Sequence, residues 1–201
     1  VETLQAIHLA HATRIPFENL DVLRRIPIRL DTESLWAKLV TGRRGGYCFE
    51  QNGLLAAVLE EVGFRVTRLA ARVRMGTVGV RPRTHMLLLV EAGGQPWIAD
   101  AGFGADGLLL PVPLRPGEES AQFAWKYRLM TEGGKYVLQS WWPEGWADLY
   151  VFDLEEQYPM DYVVANHFTS TYPTSPFLTM LRVQRPGPEV RTMLVNRTLI
   201  E

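Results

Sequence analysis

The chain of 201 residues, 47% hydrophobic and 21% charged, can fill one large domain or two small ones and bury a sizeable core. Its 21 basic and 22 acidic residues leave a net charge of −1, which gives no footing for a nucleic acid or an anionic membrane as partner. The single cysteine excludes an intrachain disulfide and fits a reducing, cytoplasmic setting, and the longest apolar runs, MLLLV and GLLLPVPL, are too short to span a bilayer. The opening VETLQAIHLAH lacks the basic-then-apolar layout of a secretory signal. It also lacks an initiator Met and starts inside a helical pattern, as a fragment would.

Residues 1–65 read as helical. ETLQAIHLAHAT carries Leu4, Ile7 and Ala10/His11 at helical spacing and ends before Pro16. DTESLWAKLV opens on Asp31 or Thr32 as N-cap and closes near Gly42. After Cys48, the residues Leu55, Val58, Leu59 and Val62 follow a helical stripe that Gly63 stops.

From about residue 66 the pattern becomes β. RVTRLAARVRM, HMLLLVEA, PWIADAGF, AWKYRLMTEGGKYVLQSWW and LYVFDL are strand-like runs broken by Gly or Pro turns, with EAGGQP and TEGGKY as Gly-Gly hairpins. A third segment covers residues 160–201. In it NHFTSTYPTSPF reads as a polar, Pro-broken loop and VRTMLVNRTLIE as a terminal hairpin. No repeat or low-complexity tract occurs. The order is α then β, an α+β layout with segments 1–65, 66–159 and 160–201.

The only cysteine lies in RGGYCFEQN, residues 44–52, where a helix begins. A helix start favours an anion, Arg43 and Arg44 add positive charge nearby, and the thiolate is the reactive form. Gly45 and Gly46 leave the backbone bare for a substrate's approach. Against this stands the usual fate of a lone cysteine, a small buried hydrophobe.

A nucleophilic cysteine needs a base, and the base needs an orienting group. His8 and His11 share a helix face, but without a carboxylate in register they read as helix surface and not as a metal site. His167 falls in the polar loop. His85 can be placed by its neighbours. THMLLLVEAGGQPWIADAGFG reads as a hairpin centred on Gly93 and Gly94, which sets Leu87 opposite Asp100 and His85 opposite Gly102. Because side chains alternate, His85 and Asp100 share one face as diagonal neighbours. The pair is either a base with its orienter or two solvent-facing strand residues, and a one-residue bulge would separate them.

With Cys48, His85 and Asp100 in that order, the chain resembles the arylamine N-acetyltransferases. IPFENLDV (15–22), RGGYCFEQN (44–52), THMLLLV (84–90), DAGFG (100–104) and NHFTSTYPTSPF (166–177) are similar to the family's motifs. The resemblance implies an N-terminal helical bundle, a central antiparallel β-barrel and the start of an α/β lid. Family members begin before residue 1 and continue past residue 201, into a part of the lid that contributes to the cofactor cleft.

The resemblance further implies Cys48 as nucleophile, His85 as base and Asp100 as orienter, with no metal. Phe17, Phe49 and Phe103 would line an aromatic acceptor pocket, core packing being the other use of such rings. Val73, Thr84, Gly104 and Phe177 would contact acetyl-coenzyme A, for which no GxxxxGK(S/T) phosphate loop is present. The implied reaction is ping-pong acetyl transfer to arylamines, arylhydrazines or N-hydroxyarylamines. Two other readings compete: a cysteine hydrolase of the peptidase or transglutaminase type on the same triad, and a binding module without catalysis.

Overall fold

A computed structural model of the chain describes residues 1–77 and 79–201. Helix α1 (Glu2–Arg14) buries Leu4, His8, His11 and Ala12 along one side. A two-residue strand, β1 (Phe17–Glu18), and a short helix, α2 (Leu20–Leu23), follow. Phe17 and Glu18 thus interrupt the stretch read as helical, because Pro16 ends α1 and the next residues find a strand partner far along the chain. Asp31 caps α3 (Thr32–Leu35), its carboxylate accepting the Ser34 N–H at 3.0 Å. The chain widens there into a π-type turn (Trp36–Thr41) before Gly42. Helix α4 (Cys48–Glu61) then begins at the cysteine.

The next eight strands form one antiparallel, nearly closed barrel-like sheet. They are β2 (Arg65–Val73), β3 (His85–Ala92), β4 (Gln95–Ala99), β5 (Val112–Pro113), β6 (Glu119–Gln122), β7 (Trp125–Glu132), β8 (Lys135–Trp142) and β9 (Gly145–Phe152). Their spatial order is β5-β4-β3-β2-β9-β8-β7-β6. The β3–β4 turn works because Gly93 and Gly94 both adopt positive φ, 60° and 74°, which a tight hairpin requires. Its ladder runs from Ala92 opposite Gln95 to Leu88 opposite Ala99, the register expected from the sequence.

Alternation along β3 divides the core. Met86, Leu88 and Val90 pack with Leu55, Ala56 and Leu59 of α4, whereas Leu87 joins Ile98, Tyr127, Leu138, Leu149 and Tyr150 inside the barrel. Each fully buried leucine of this kind contributes roughly 1.5–3 kcal/mol, so α4 is firmly fixed against the barrel wall. That contact puts Cys48 level with the start of β3.

The third segment is helix α5 (Pro159–Thr171), a single tight turn (Pro176–Leu178), and strands β10 (Arg182–Pro186), β11 (Arg191–Val195) and β12 (Thr198–Ile200). Residues 166–171, read from the sequence as part of a polar loop, are helical. Pro159 opens α5 and Tyr162, Asn166 and Thr169 recur on a buried face, so the polar Asn and Thr conceal a helical stripe. The terminal hairpin forms as expected, and β1 completes the small sheet in the order β1-β10-β11-β12. Among the described residues, no helix is long and apolar enough to cross a membrane.

Candidate active site

Each polar residue of RGGYCFEQN has a structural task. The Tyr47 N–H donates to Glu50 Oε2 at 3.1 Å, and the buried Glu50 pairs with Lys38 at 2.6 Å. Lys38 also meets Asp21 at 2.8 Å, while Arg44 binds Glu18 at 2.8 Å and Asp21 at 3.1 Å. Arg44 is therefore engaged by two carboxylates and Arg43 is exposed, so neither acts as the cysteine's counter-ion as the sequence suggested. The glycines also differ from expectation. A Cβ on Gly45 would lie 2.1 Å from the Pro16 carbonyl oxygen, and one on Gly46 2.6 Å from Glu50 Oε2. They admit the chain's own backbone and cap, not a substrate.

His85 and Asp100 meet as the hairpin register requires: His85 Nε2 lies 2.7 Å from Asp100 Oδ2. Both are buried, at 3% and 0% exposure, which removes the solvent-facing alternative. Asp100 Oδ1 accepts from Asn52 Nδ2 at 2.8 Å and from the Gly102 N–H at 3.0 Å. Burial pushes the Asp100 carboxyl up, but the His85 charge and these hydrogen bonds outweigh it and hold the pKa below its ordinary value. Burial likewise pushes His85 down. The Asp100 charge and hydrogen bond, with the Cys48 thiol alongside, raise it to about 10. The imidazole is thus charged at neutral pH.

Rings hold that imidazole from the sides. Phe103 stands edge-on to His85 at 5.1 Å and Tyr150 is tilted against it at 4.9 Å. The Tyr150 hydroxyl is buried beside Asp100, without a hydrogen-bond partner among the described residues. Cys48 and His85 border one cavity of about 320 Å³, and Cys48 Sγ is 3.6 Å from the Thr84 carbonyl oxygen. Phe17, Phe103, Val73, Thr84 and Phe177 also line it, with Met75, Tyr172, Arg81 and Arg182.

Two expected lining residues do not reach the cavity. Phe49 is buried in the core, edge-on to Tyr47 at 5.4 Å and against Tyr162 at 6.1 Å, because the helix turns it away from Cys48. Gly104 sits behind the Phe17 ring, where a Cβ would be 3.1 Å from it. Asn19, outside the lining, braces the chain between Phe177 and Arg182, donating to the Phe177 and Met180 carbonyls and accepting the Arg182 N–H.

Three histidines are placed differently from, or more fully than, the sequence reading. His8 and His11 are buried, not surface residues: His8 bonds the backbone of Leu109 and Asp100, and His11 Nε2 donates to Gln51 Oε1 at 2.8 Å. His167 is exposed on α5. Among the described residues, no group of three or more His, Cys, Asp or Glu side chains is placed to hold a metal.

Sequence reasoning missed His8, Asn52 and Tyr150. Asn52 had a signal, since it lies one helical turn beyond Cys48 and so on the same face. His8 shared the buried stripe with Leu4. Tyr150 sat unmarked in an alternating strand.

An α+β fold in which a cysteine at a helix start borders the same cavity as a buried histidine–aspartate pair defines a class of protein with a thiol, an imidazole and a carboxylate gathered in one place. The comparisons narrow that class. A family profile described as N-acetyltransferase matches residues 1–201. An arylamine N-acetyltransferase of Escherichia coli K12 is 45% identical over 190 residues, covering 94% of this chain and 68% of that protein. The solved arylamine N-acetyltransferase of Salmonella typhimurium superposes with a TM-score of 0.95 at 40% identity, covering 100% of this chain and 77% of its own. The Mycobacterium marinum arylamine N-acetyltransferase, solved in complex with CoA, gives 0.94 at 38% identity over 98% of this chain and 75% of its own. The chain belongs to the arylamine N-acetyltransferase family, a family of acyltransferases.

Proposed function

We propose that the chain transfers an acetyl group from acetyl-coenzyme A to an arylamine, arylhydrazine or N-hydroxyarylamine through an acetyl-Cys48 intermediate. The observation that carries this is Cys48 opening α4 in the same cavity as His85, with His85 held 2.7 Å from Asp100. In the first half-reaction the thiolate attacks the thioester carbonyl and the imidazolium protonates the departing coenzyme A sulfur. In the second, the amine attacks the acetyl-cysteine, His85 takes its proton, and the thiolate is restored. Asp100 stabilises the imidazolium and keeps Nδ1 free to face the sulfur. The first N–H groups of α4 are candidate donors to the oxyanion.

In this reading Phe17 and Phe103 flank a flat acceptor, while Val73, Thr84 and Phe177 contact the coenzyme. Gly104 acts indirectly by seating Phe17. Segment 1–65 supplies the nucleophile, 66–159 the base and its orienter, and 160–201 the opposite wall. The CoA found in the Mycobacterium marinum relative supports the donor. A reducing, cytoplasmic setting keeps such a thiol free.

Intact-mass analysis after incubation with acetyl-coenzyme A, without acceptor, tests the reading. A lasting single acetyl adduct on Cys48 is expected, absent in Cys48→Ser. Release of coenzyme A with no adduct would make the protein a cysteine hydrolase, and no reaction would make it a binding module.

A further inference from the structure

His8 is a buried titratable side chain beside the site that the mechanism does not use. His8 is 0% exposed, with Nδ1 3.0 Å from the Leu109 carbonyl oxygen and Nε2 2.9 Å from the Asp100 backbone nitrogen. A carbonyl only accepts and a backbone N–H only donates, so both contacts demand one neutral tautomer, with the proton on Nδ1. Asp100 is the first residue past β4, where the ladder with β3 has ended at Ala99. Its N–H turns to the imidazole instead. Leu109 lies at the far end of the loop that carries Phe103, so a single ring ties both ends of that loop. The titratable groups facing His8 are Asp100 and, on its own helix, His11.

We propose that His8 is a positioning residue for Asp100: accepting the Asp100 N–H while donating to Leu109, it fixes the main chain from which the carboxylate reaches His85. This rests on the reading of Cys48, His85 and Asp100 as the reacting group. Without His8 the carboxylate's backbone has one anchor fewer, and a misplacement of about 1 Å at such a site costs up to ~100-fold in rate.

Two measurements test it. Nitrogen-15 NMR of the unmodified protein should find His8 protonated on Nδ1 and bare on Nε2, and the reverse tautomer overturns the proposal even if no variant folds. Single-turnover acetylation of Cys48 by acetyl-coenzyme A then compares two variants in the full chain. His8→Gln can place an oxygen near the old Nε2 and still accept the Asp100 N–H, whereas His8→Asn can only reach Leu109. Each loses one hydrogen bond, so their thermal midpoints should be similar. Acetylation should stay within about threefold of the unmodified rate in His8→Gln and fall at least ~10-fold in His8→Asn. Equal rates, or a slower His8→Gln, would show that His8 merely fills space. Cys48→Ala, run alongside, separates the failures. If it takes up no acetyl while Gln and Asn behave alike, only the role of His8 fails. If it is still acetylated, the triad reading fails and this proposal goes with it.

Discussion

Asn52 Nδ2 lies 2.8 Å from Asp100 Oδ1, so the helix that begins with Cys48 also holds the carboxylate that faces His85. The same amide donates to the Met86 carbonyl at 2.7 Å, and its oxygen accepts the Ala101 N–H at 3.0 Å. Asn52→Ala removes a partner from the Met86 carbonyl, Asp100 Oδ1 and the half-buried Ala101 N–H at once. A loss of about 3 kcal/mol or more is expected, measured by urea unfolding, since each group that loses its partner costs roughly 1–3 kcal/mol. Single-turnover acetylation should slow by more than ~10-fold, and Asn52→Asp should fare worse by placing a second carboxylate against Asp100.

The pH range of the His85–Asp100 pair follows from the two shifts. His85 is raised from 6.5 to about 10, so its contribution to stability is fully present below 6.5 and is lost as pH rises through about 10. Asp100 is lowered from 3.8, so its contribution is present above 3.8 and is lost as pH falls through its lower folded value. Asp100→Asn removes the main group that raises His85 and leaves the burial that lowers it. NMR titration of the His85 ring should show the midpoint near 10 collapse in the variant. Iodoacetamide alkylation of Cys48 at about pH 7 should slow by roughly 10-fold or more as the imidazolium is lost.

His11 gives the opposite sign. Burial pulls it from 6.5 down to about 4, with the Gln51 hydrogen bond only partly opposing. The folded form therefore resists a proton that the unfolded chain accepts. Stability is complete above 6.5 and falls as pH drops toward 4, by on the order of 3 kcal/mol for this residue. His8, also lowered by burial, acts in the same direction. Urea unfolding between about pH 7 and 4 should show this acid limb, and His11→Gln should flatten it. An unchanged limb would mean that His11 protonates within the folded protein.

Gly45 and Gly53 make a contrast in space. An alanine methyl at Gly45 would fall 2.1 Å from the Pro16 carbonyl oxygen, and only a backbone shift could relieve it. At Gly53, inside α4, it would meet the flexible end of Leu35 at 3.1 Å. Gly45→Ala should cost about 3 kcal/mol or more, or fail to fold. Gly53→Ala should stay within about 1 kcal/mol, because better helix propensity offsets the contact. Thermal midpoints of the two variants decide it.

Phe103 both lines the cavity and stands edge-on to His85. Phe103→Ala should raise the acceptor KM by about 10-fold while slowing the acetylation of Cys48 less than ~3-fold, since a deleted ring costs chiefly the arene its partner. Equal losses in both half-reactions would assign the ring to holding His85.

Local pattern carried a large share of the site. The Gly-Gly turn pins the β3–β4 register, period-two alternation then forces His85 and Asp100 onto one face, and the helical stripe after Cys48 places a helix start at the thiol. These are consequences of neighbouring residues, and they are legible in a string. Long-range packing decided the rest. The helical stripe shared with Leu4 could point His8 inward, but nothing local names its two partners, which lie 92 and 101 positions away. Arg44 looked like a counter-ion to the thiol until folding brought Glu18 and Asp21 to it. The family resemblance implies Phe49 as a pocket ring, yet a helix turns successive side chains about 100° apart and sends it into the core. Helix α5 was hidden because its buried face uses Asn166 and Thr169, whose hydrogen bonds in the folded protein do what apolar side chains do elsewhere. The sequence by itself determined that the thiol falls at a helix start and which face of the hairpin His85 and Asp100 share. Only the tertiary structure decided which polar groups are paired, because a charge or an imidazole takes its partner, and hence its protonation state, from whatever the fold brings within about 3 Å.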